Sequence, residues 1–175
     1  MKTWIKVLLF CFGCTVFIGC DRVTKQMAKE HLMYHEPKSY FHDTFRFEYA
    51  ENTGAALGLG DSLPKALSFW VLSMVPLAVL MVLLVYVLKR LNRFSFLKLF
   101  CFCLIIAGGL GNVIDRIIYD RHVTDFMNMG INNIRTGIFN VADVCITAGV
   151  IGLFIAYNNR VKGLLKPDLV VEELP

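Results

Sequence analysis

Residues 139–157 read FNVADVCITAGVIGLFIAY. The run is close to the roughly 20 apolar residues that a helix needs to cross the hydrocarbon core of a bilayer, and its only charge is Asp143. A carboxylate in hydrocarbon costs about 2.5–3.5 kcal/mol even on insertion scales, so it persists only near a polar surface or with a partner and a use. Where Asp143 sits, and what faces it, therefore decides how the rest of the chain is arranged.

The composition agrees with a membrane setting. Hydrophobic residues make up 56% of the chain, charged residues 18%, and the mean hydropathy is +0.56, oilier than a soluble domain with its charged share of about 25%. The 175 residues are read as a single domain, 1–175, and a soluble catalytic unit would have to fit between the spans. The net charge of +4 does not point to nucleic acid, because the basic residues are scattered and form no long Lys/Arg run.

Four stretches are long enough to span a bilayer: about 4–20, 66–88, 99–118 and 138–157. The third is the weakest, because its apolar part stops at Leu110 and it ends in Asn112, Asp115 and Arg116. Pro76 inside the second is tolerable in a membrane helix and predicts a kink. Loop charge sets the orientation. Lys2 and Lys6 precede the first span; Lys89, Arg90, Arg93 and Lys98 lie between the second and third with no acid; Arg160, Lys162 and Lys166 follow the fourth. The positive-inside rule places all three groups, and both termini, in the cytoplasm. The outer segments are then 21–65, with six basic and seven acidic residues, and 119–137. Asp143 falls at the outer surface. The N-terminus through VFIGC also resembles a lipoprotein signal peptide ending at Cys20. Three further spans, and an Asp21/Lys25 pair at i, i+4 that continues a helical face, weigh against its removal.

In the outer segments TFRFEY (44–49) alternates aromatic and charged residues, as a half-buried strand does. HVTDF (122–126) reads as a second short strand, followed by a turn-rich NMGINN. Both fit a small extracytoplasmic sheet lying on the helix ends. The Gly-rich stretch after Glu51 suits close backbone approach, and Phe45 to Leu59 suits a flap over a groove. The third span presents Gly108, Asn112 and Asp115 at i, i+4 and i+7, with Gly111 beside them, and the fourth presents Asn140 and Asp143 at i, i+3. Two polar helix ends and a strand with Asp125 define a pocket at the membrane surface. Two carboxylates in one pocket do not both ionise easily, so one keeps a proton while the other activates water, as in aspartic proteases. Spacing leaves the pair open among Asp115, Asp125 and Asp143. Asp125 with Asp143 is only slightly ahead, because Asp115 adjoins Arg116 and is more easily explained as structural pairing.

DRVTK (21–25), ENTGAALGL (51–59), GGLGNVIDR (108–116), VTDF (123–126) and FNVAD (139–143) together resemble the signature blocks of bacterial lipoprotein signal peptidase, or signal peptidase II. The five occur in the family's order over residues 21–143. The resemblance implies an α-helical inner-membrane aspartyl endopeptidase with four transmembrane helices and a small periplasmic β-cradle. Its implied substrates are prolipoproteins bearing a diacylglyceryl-modified cysteine, met in membrane lipid; no cofactor, metal or nucleic acid is implied, and a monomer is expected. Carried over by motif, the catalytic aspartates are Asp125 and Asp143. Asn112, Arg116 and Asn140 line the site, and Asp21, Lys25, Asn52, Gly54, Gly108 and Asp115 support it. This chain departs from the family pattern at Leu57, Thr124 and Cys145 and lacks the Trp or Pro often found before the FN, which bears on substrate fit and not on the reaction.

Other signals point elsewhere. The six cysteines lie in or at the edge of apolar spans, and the Cys11/Cys14 spacing has no second ligand pair. His31 and His35 lack the intervening Glu of a zinc-protease helix and read as surface residues. An ion-relaying transporter would place acids at the span midplanes; here they gather at one face.

Overall fold

The computed structural model describes residues 2–55 and 59–164; Leu57 and Lys166 lie outside them. Helix α1 (Thr3–Leu32) is followed by strands β1 (Lys38–Tyr40) and β2 (Phe45–Asn52). A composite helix comes next: α2 (Lys65–Phe69), a π-helical turn (Trp70–Met74), α3 (Val75–Arg90) and a 3-10 turn (Leu91–Arg93). After α4 (Phe96–Ile118), strands β3 (Val123–Ile131) and β4 (Ile134–Arg135) lead to α5 (Val141–Leu164). Four helices, Thr3–Leu32, Lys65–Arg93, Phe96–Ile118 and Val141–Asn158, are long and apolar enough to cross a membrane. Their outward faces carry large apolar side chains such as Phe12, Val79, Val82 and Phe154, which only a lipid surround solvates without penalty.

α4 is the central helix, packing against α1, α3 and α5. It approaches α5 almost backbone to backbone: a Cβ on Gly108 would lie 2.4 Å from the carbonyl oxygen of Ala142, and one on Gly149 2.7 Å from that of Cys101. Small residues permit this approach, and helices in lipid associate through such packing because no hydrophobic force separates them from the tails. Near the other end of the bundle, Phe10, Val87, Leu91, Leu99, Cys103 and Ile106 form a buried cluster, and Thr3 donates to Asn92 across 3.1 Å. Among the described residues α3 and α5 flank α4 without packing extensively on each other.

The four strands form one antiparallel sheet in the order β1-β2-β3-β4. It rests on the last turns of α1, where Ala28 and Leu32 pack on Phe126 with Phe47, Tyr49 and Met127 around them. Several boundaries differ from the sequence reading. α1 continues past the first apolar run, as the Asp21/Lys25 spacing implies, and extends on to Leu32, with Asp21 and Lys25 finding buried partners on the neighbouring helix ends. β3 runs through most of the stretch that reads as turns: Asn128 is buried and donates to the Thr136 carbonyl, and the Gly130 N–H donates to Thr44. The turn shrinks to Asn132 and Asn133, with Asn132 at φ 53°, a left-handed conformation that asparagine tolerates. Pro76 does not break the span: a π-helical turn, Trp70–Met74, leads directly into α3, whose first turn holds Pro76, where a missing N–H is best tolerated.

Candidate active site

α5 starts at Val141, so Asn140 is its N-cap and Asp143 lies in its first turn. The Asn140 Oδ1 accepts from the Asp143 backbone N–H at 3.0 Å, and the Asp143 Oδ2 accepts from the Asn140 N–H at 3.1 Å. This reciprocal capping box satisfies two otherwise orphaned donors, and the helix N-terminus presents positive potential to the carboxylate. Asp143 thus has a local structural reason to be at the mouth of an oily helix before any chemistry is invoked.

Asn140 also reaches outward from the helix. Its Nδ2 donates to Asp125 Oδ1 at 2.6 Å and to Asn112 Oδ1 at 3.1 Å, while Asn112 Nδ2 donates to Asp143 Oδ1 at 2.8 Å. Asp125, on β3, receives a second amide bond from Asn52 at 3.2 Å. The Asn52 Oδ1 in turn accepts the Gly54 N–H, and Arg116 donates to the Gly54 carbonyl at 2.7 Å, tying the turn after β2 to α4. Two carboxylates are therefore held by side-chain amides and main-chain N–H groups, and no salt bridge reaches either among the described residues.

Both aspartates, with Asn52, Asn112 and Arg116, line the head of a cleft of about 490 Å³. Leu72 and Pro76 form one wall and Ile146 and Thr147 the other, so the cleft occupies the gap between α3 and α5. Burial pushes the Asp125 carboxyl up to about 6, assisted by the charge of Asp143; the bonds from Asn140 and Asn52 oppose this and do not cancel it. Such an acid keeps its proton into the mildly acidic range and can donate it.

A second polar cluster lies just behind. Lys25 Nζ is 2.7 Å from Asp21 Oδ2, 2.8 Å from Asp115 Oδ2 and 3.0 Å from Asn112 Oδ1. Arg22 pairs with Asp115 and donates to the Tyr119 hydroxyl at 2.9 Å. Asp21 Oδ1 accepts the Ala142 N–H at 2.9 Å, fixing the first turn of α5. The partners of Asp115 are thus Arg22 and Lys25, not the adjacent Arg116.

Residues 14–158 match the family model described as Signal peptidase (SPase) II. The chain belongs to the signal peptidase II family. Relatives include the lipoprotein signal peptidase of Clostridium tetani, 37% identical over 86% of this chain and 90% of its own. That of Chlorobium luteolum is also 37% identical, over 90% and 92%. A solved bacterial membrane enzyme superimposes with a TM-score of 0.74 over 95% of this chain and 94% of its own at 24% identity, which establishes the shared fold. Its membership makes the chain a multi-pass membrane peptidase.

Within this signal peptidase II chain, every candidate catalytic or supporting residue carried over from the motifs lies in one of the two clusters, in the turn bonded to them or, like Gly108, in the close α4–α5 contact that places them. Arg22 is not among the motif candidates, nor are Leu72, Ile146 and Thr147 on the cleft walls, and the sequence marks Pro76 only as a kink and not as a wall of the cleft. The wall residues look like ordinary span residues, and only the π-turn and the α3–α5 gap expose them. Thr124 and Cys145 are buried away from the cleft lining. The cysteines are unbridged; Cys14 Sγ faces Cys103 Sγ at 3.5 Å and not Cys11, and no cluster of three metal-ligating side chains occurs among the described residues.

Proposed function

We propose that the protein is a signal peptidase II that removes the signal peptide from diacylglyceryl-modified prolipoproteins, with Asp125 and Asp143 as its catalytic pair. The observation that carries this reading is the convergence of two carboxylates, with no salt-bridged cation on either among the described residues, at the head of a cleft that lies between two membrane helices. A substrate signal helix would lie in the gap between α3 and α5 with its scissile carbonyl beneath the sheet, while the acyl chains of the lipidated cysteine remain in lipid. Asp143, which receives two N–H donors at a helix N-terminus, suits the base that takes a proton from water. Asp125, protonated below about pH 6, suits the acid that protonates the carbonyl oxygen as the water oxygen bonds to carbon. Collapse of the resulting gem-diol, with a proton passed to the amide nitrogen, breaks the C–N bond before the cysteine.

Gly54, held by Arg116, and Ala55 follow Asn52, and Ala55 borders the cleft. Within the Phe45–Leu59 stretch, Phe45–Phe47 pairs with both β1 and β3 and Ala50–Asn52 pairs with β3, so the strand part is held in the sheet and is not a free flap. Loop charge supports cytoplasmic termini and an active site at the outer face of the bacterial cytoplasmic membrane. The test is cleavage of a diacylglyceryl-modified prolipoprotein by purified protein in detergent. Wild type should cut next to the lipidated cysteine, and folded Asp125→Asn and Asp143→Asn should not. An inert wild type, or an undiminished asparagine variant, overturns the proposal.

A further inference from the structure

We infer that Lys25 is a positioning residue that acts on Asp143 through the side-chain amide of Asn112. An ammonium carries three donors and no acceptor. The Lys25 ammonium is ion-paired with Asp21 Oδ2 and Asp115 Oδ2 at 2.7 and 2.8 Å and donates a hydrogen bond to Asn112 Oδ1 at 3.0 Å. The atom of Asn112 that faces Lys25 must therefore be its oxygen, which obliges the amide nitrogen to face Asp143, at 2.8 Å. Asn140 places a second donor on the same oxygen at 3.1 Å. An amide whose oxygen is held by a cation is polarised, and its N–H groups become stronger donors; in a buried site such cooperativity is strengthened by the low dielectric.

The cluster delivers this effect without adding net charge. Lys25 and Arg22 are balanced by Asp21 and Asp115, so the helix ends gain a directed donor and the carboxylate pair gains no direct counter-ion. The charged groups around Asn112 are Asp21, Arg22 and Lys25 from α1, Asp115 and Arg116 from α4, Asp125 from β3 and Asp143 from α5. Replacing Asp21 and Lys25 together removes one charge of each sign and leaves Arg22 paired with Asp115. The donor to Asn112 is thereby removed with little change in the surrounding field.

This inference rests on the peptidase reading, and its test uses two readouts so that the two can fail separately. In full-length protein labelled with 15N-asparagine, the Asn112 amide pair is identified by its loss in Asn112→Ala. Its proton resonances should move upfield in Asp21→Asn/Lys25→Met, and part of the way back in Asp21→Asn/Lys25→Gln, which returns an uncharged N–H. On a diacylglyceryl-modified prolipoprotein, the Met version should lose about tenfold in kcat, less than the loss of a whole donor, with KM within about twofold. The Gln version should recover part of that loss at a matched melting midpoint. Either pair variant compared with wild type carries the test. An unmoved Asn112 resonance overturns the inference, as does wild-type kcat in a pair variant; an inert wild type whose Asn112 signal still responds to Lys25 overturns the peptidase reading alone.

Discussion

Two pairs of aspartates lie at the same end of the bundle and differ in the kind of partner they keep. Asp21 and Asp115 face a lysine and an arginine; Asp125 and Asp143 face amides and main-chain N–H groups. The first pair is neutralised and essentially fully buried, at 1% and 0% exposure. The second has hydrogen bonds but, among the described residues, no bonded counter-ion, and borders a cleft. Buried ions with fixed partners resist protonation changes and anchor helices, whereas acids held by neutral donors remain able to exchange a proton. The contrast separates a structural task from a chemical one within a few turns of helix.

The largest expected effects would separate the pairs by rate against stability. Asp143→Asn and Asp125→Asn should lower kcat by about a thousandfold or more while the melting midpoint in detergent changes little. Asp115→Ala removes the carboxylate shared by buried Lys25 and half-buried Arg22, leaving Lys25 with Asp21 and Asn112 alone, and should cost up to about 3–5 kcal/mol of stability, read as a large drop in midpoint or in folded yield. If Asp115→Ala instead melts like wild type, the division of labour is wrong. Gly108→Ala comes next: its Cβ would meet the Ala142 carbonyl at 2.4 Å, so α4 and α5 must separate, at about 1–3 kcal/mol, and cleavage should fall with them.

A subtler difference concerns protons. The Asp125 carboxyl is raised from 3.8 to about 6, so the folded protein binds this proton more tightly than the unfolded chain does. The stability it contributes is full below about pH 4 and is lost as pH rises through 6. Carbon-13 carboxyl NMR should show Asp125 titrating near 6, and lower in Asp143→Asn, where the like charge is gone. An unshifted titration in that variant would mean that burial alone raises it. The smallest effect belongs to the exposed Lys65–Asp120 pair: Asp120→Asn should leave both midpoint and turnover unchanged, since exposed ion pairs contribute little.

Much of this arrangement is legible in the sequence because each feature is local. Apolar length marks the four long helices, and the i, i+4 spacing of Asp21 and Lys25 announces a helix continuing past the first apolar run. Asn140-x-x-Asp143 carries the spacing of a capping box, so a helix start at Val141 was open to reading even though the pair registers first as a shared face. Arg22 is different: its partner Asp115 lies 93 residues away, and nothing near it in the chain distinguishes it from a solvated arginine. β3 extends through polar Asn128 because Arg135 and Thr136 meet its side chain from across the turn, a tertiary contact that composition does not encode. The pairing of Asp125 with Asp143 came from the resemblance, since spacing alone also admitted Asp115.

The gap between α3 and α5 has a kinetic consequence. A substrate that reaches the cleft from the bilayer is dissolved in two dimensions, so its effective concentration is its mole fraction in the lipid or micelle and not its amount per litre. Diluting the surface with inert detergent, at constant enzyme and substrate, should slow turnover as an ordinary competitive dilution would, although nothing binds the cleft. Crowding substrate into fewer micelles should restore the rate.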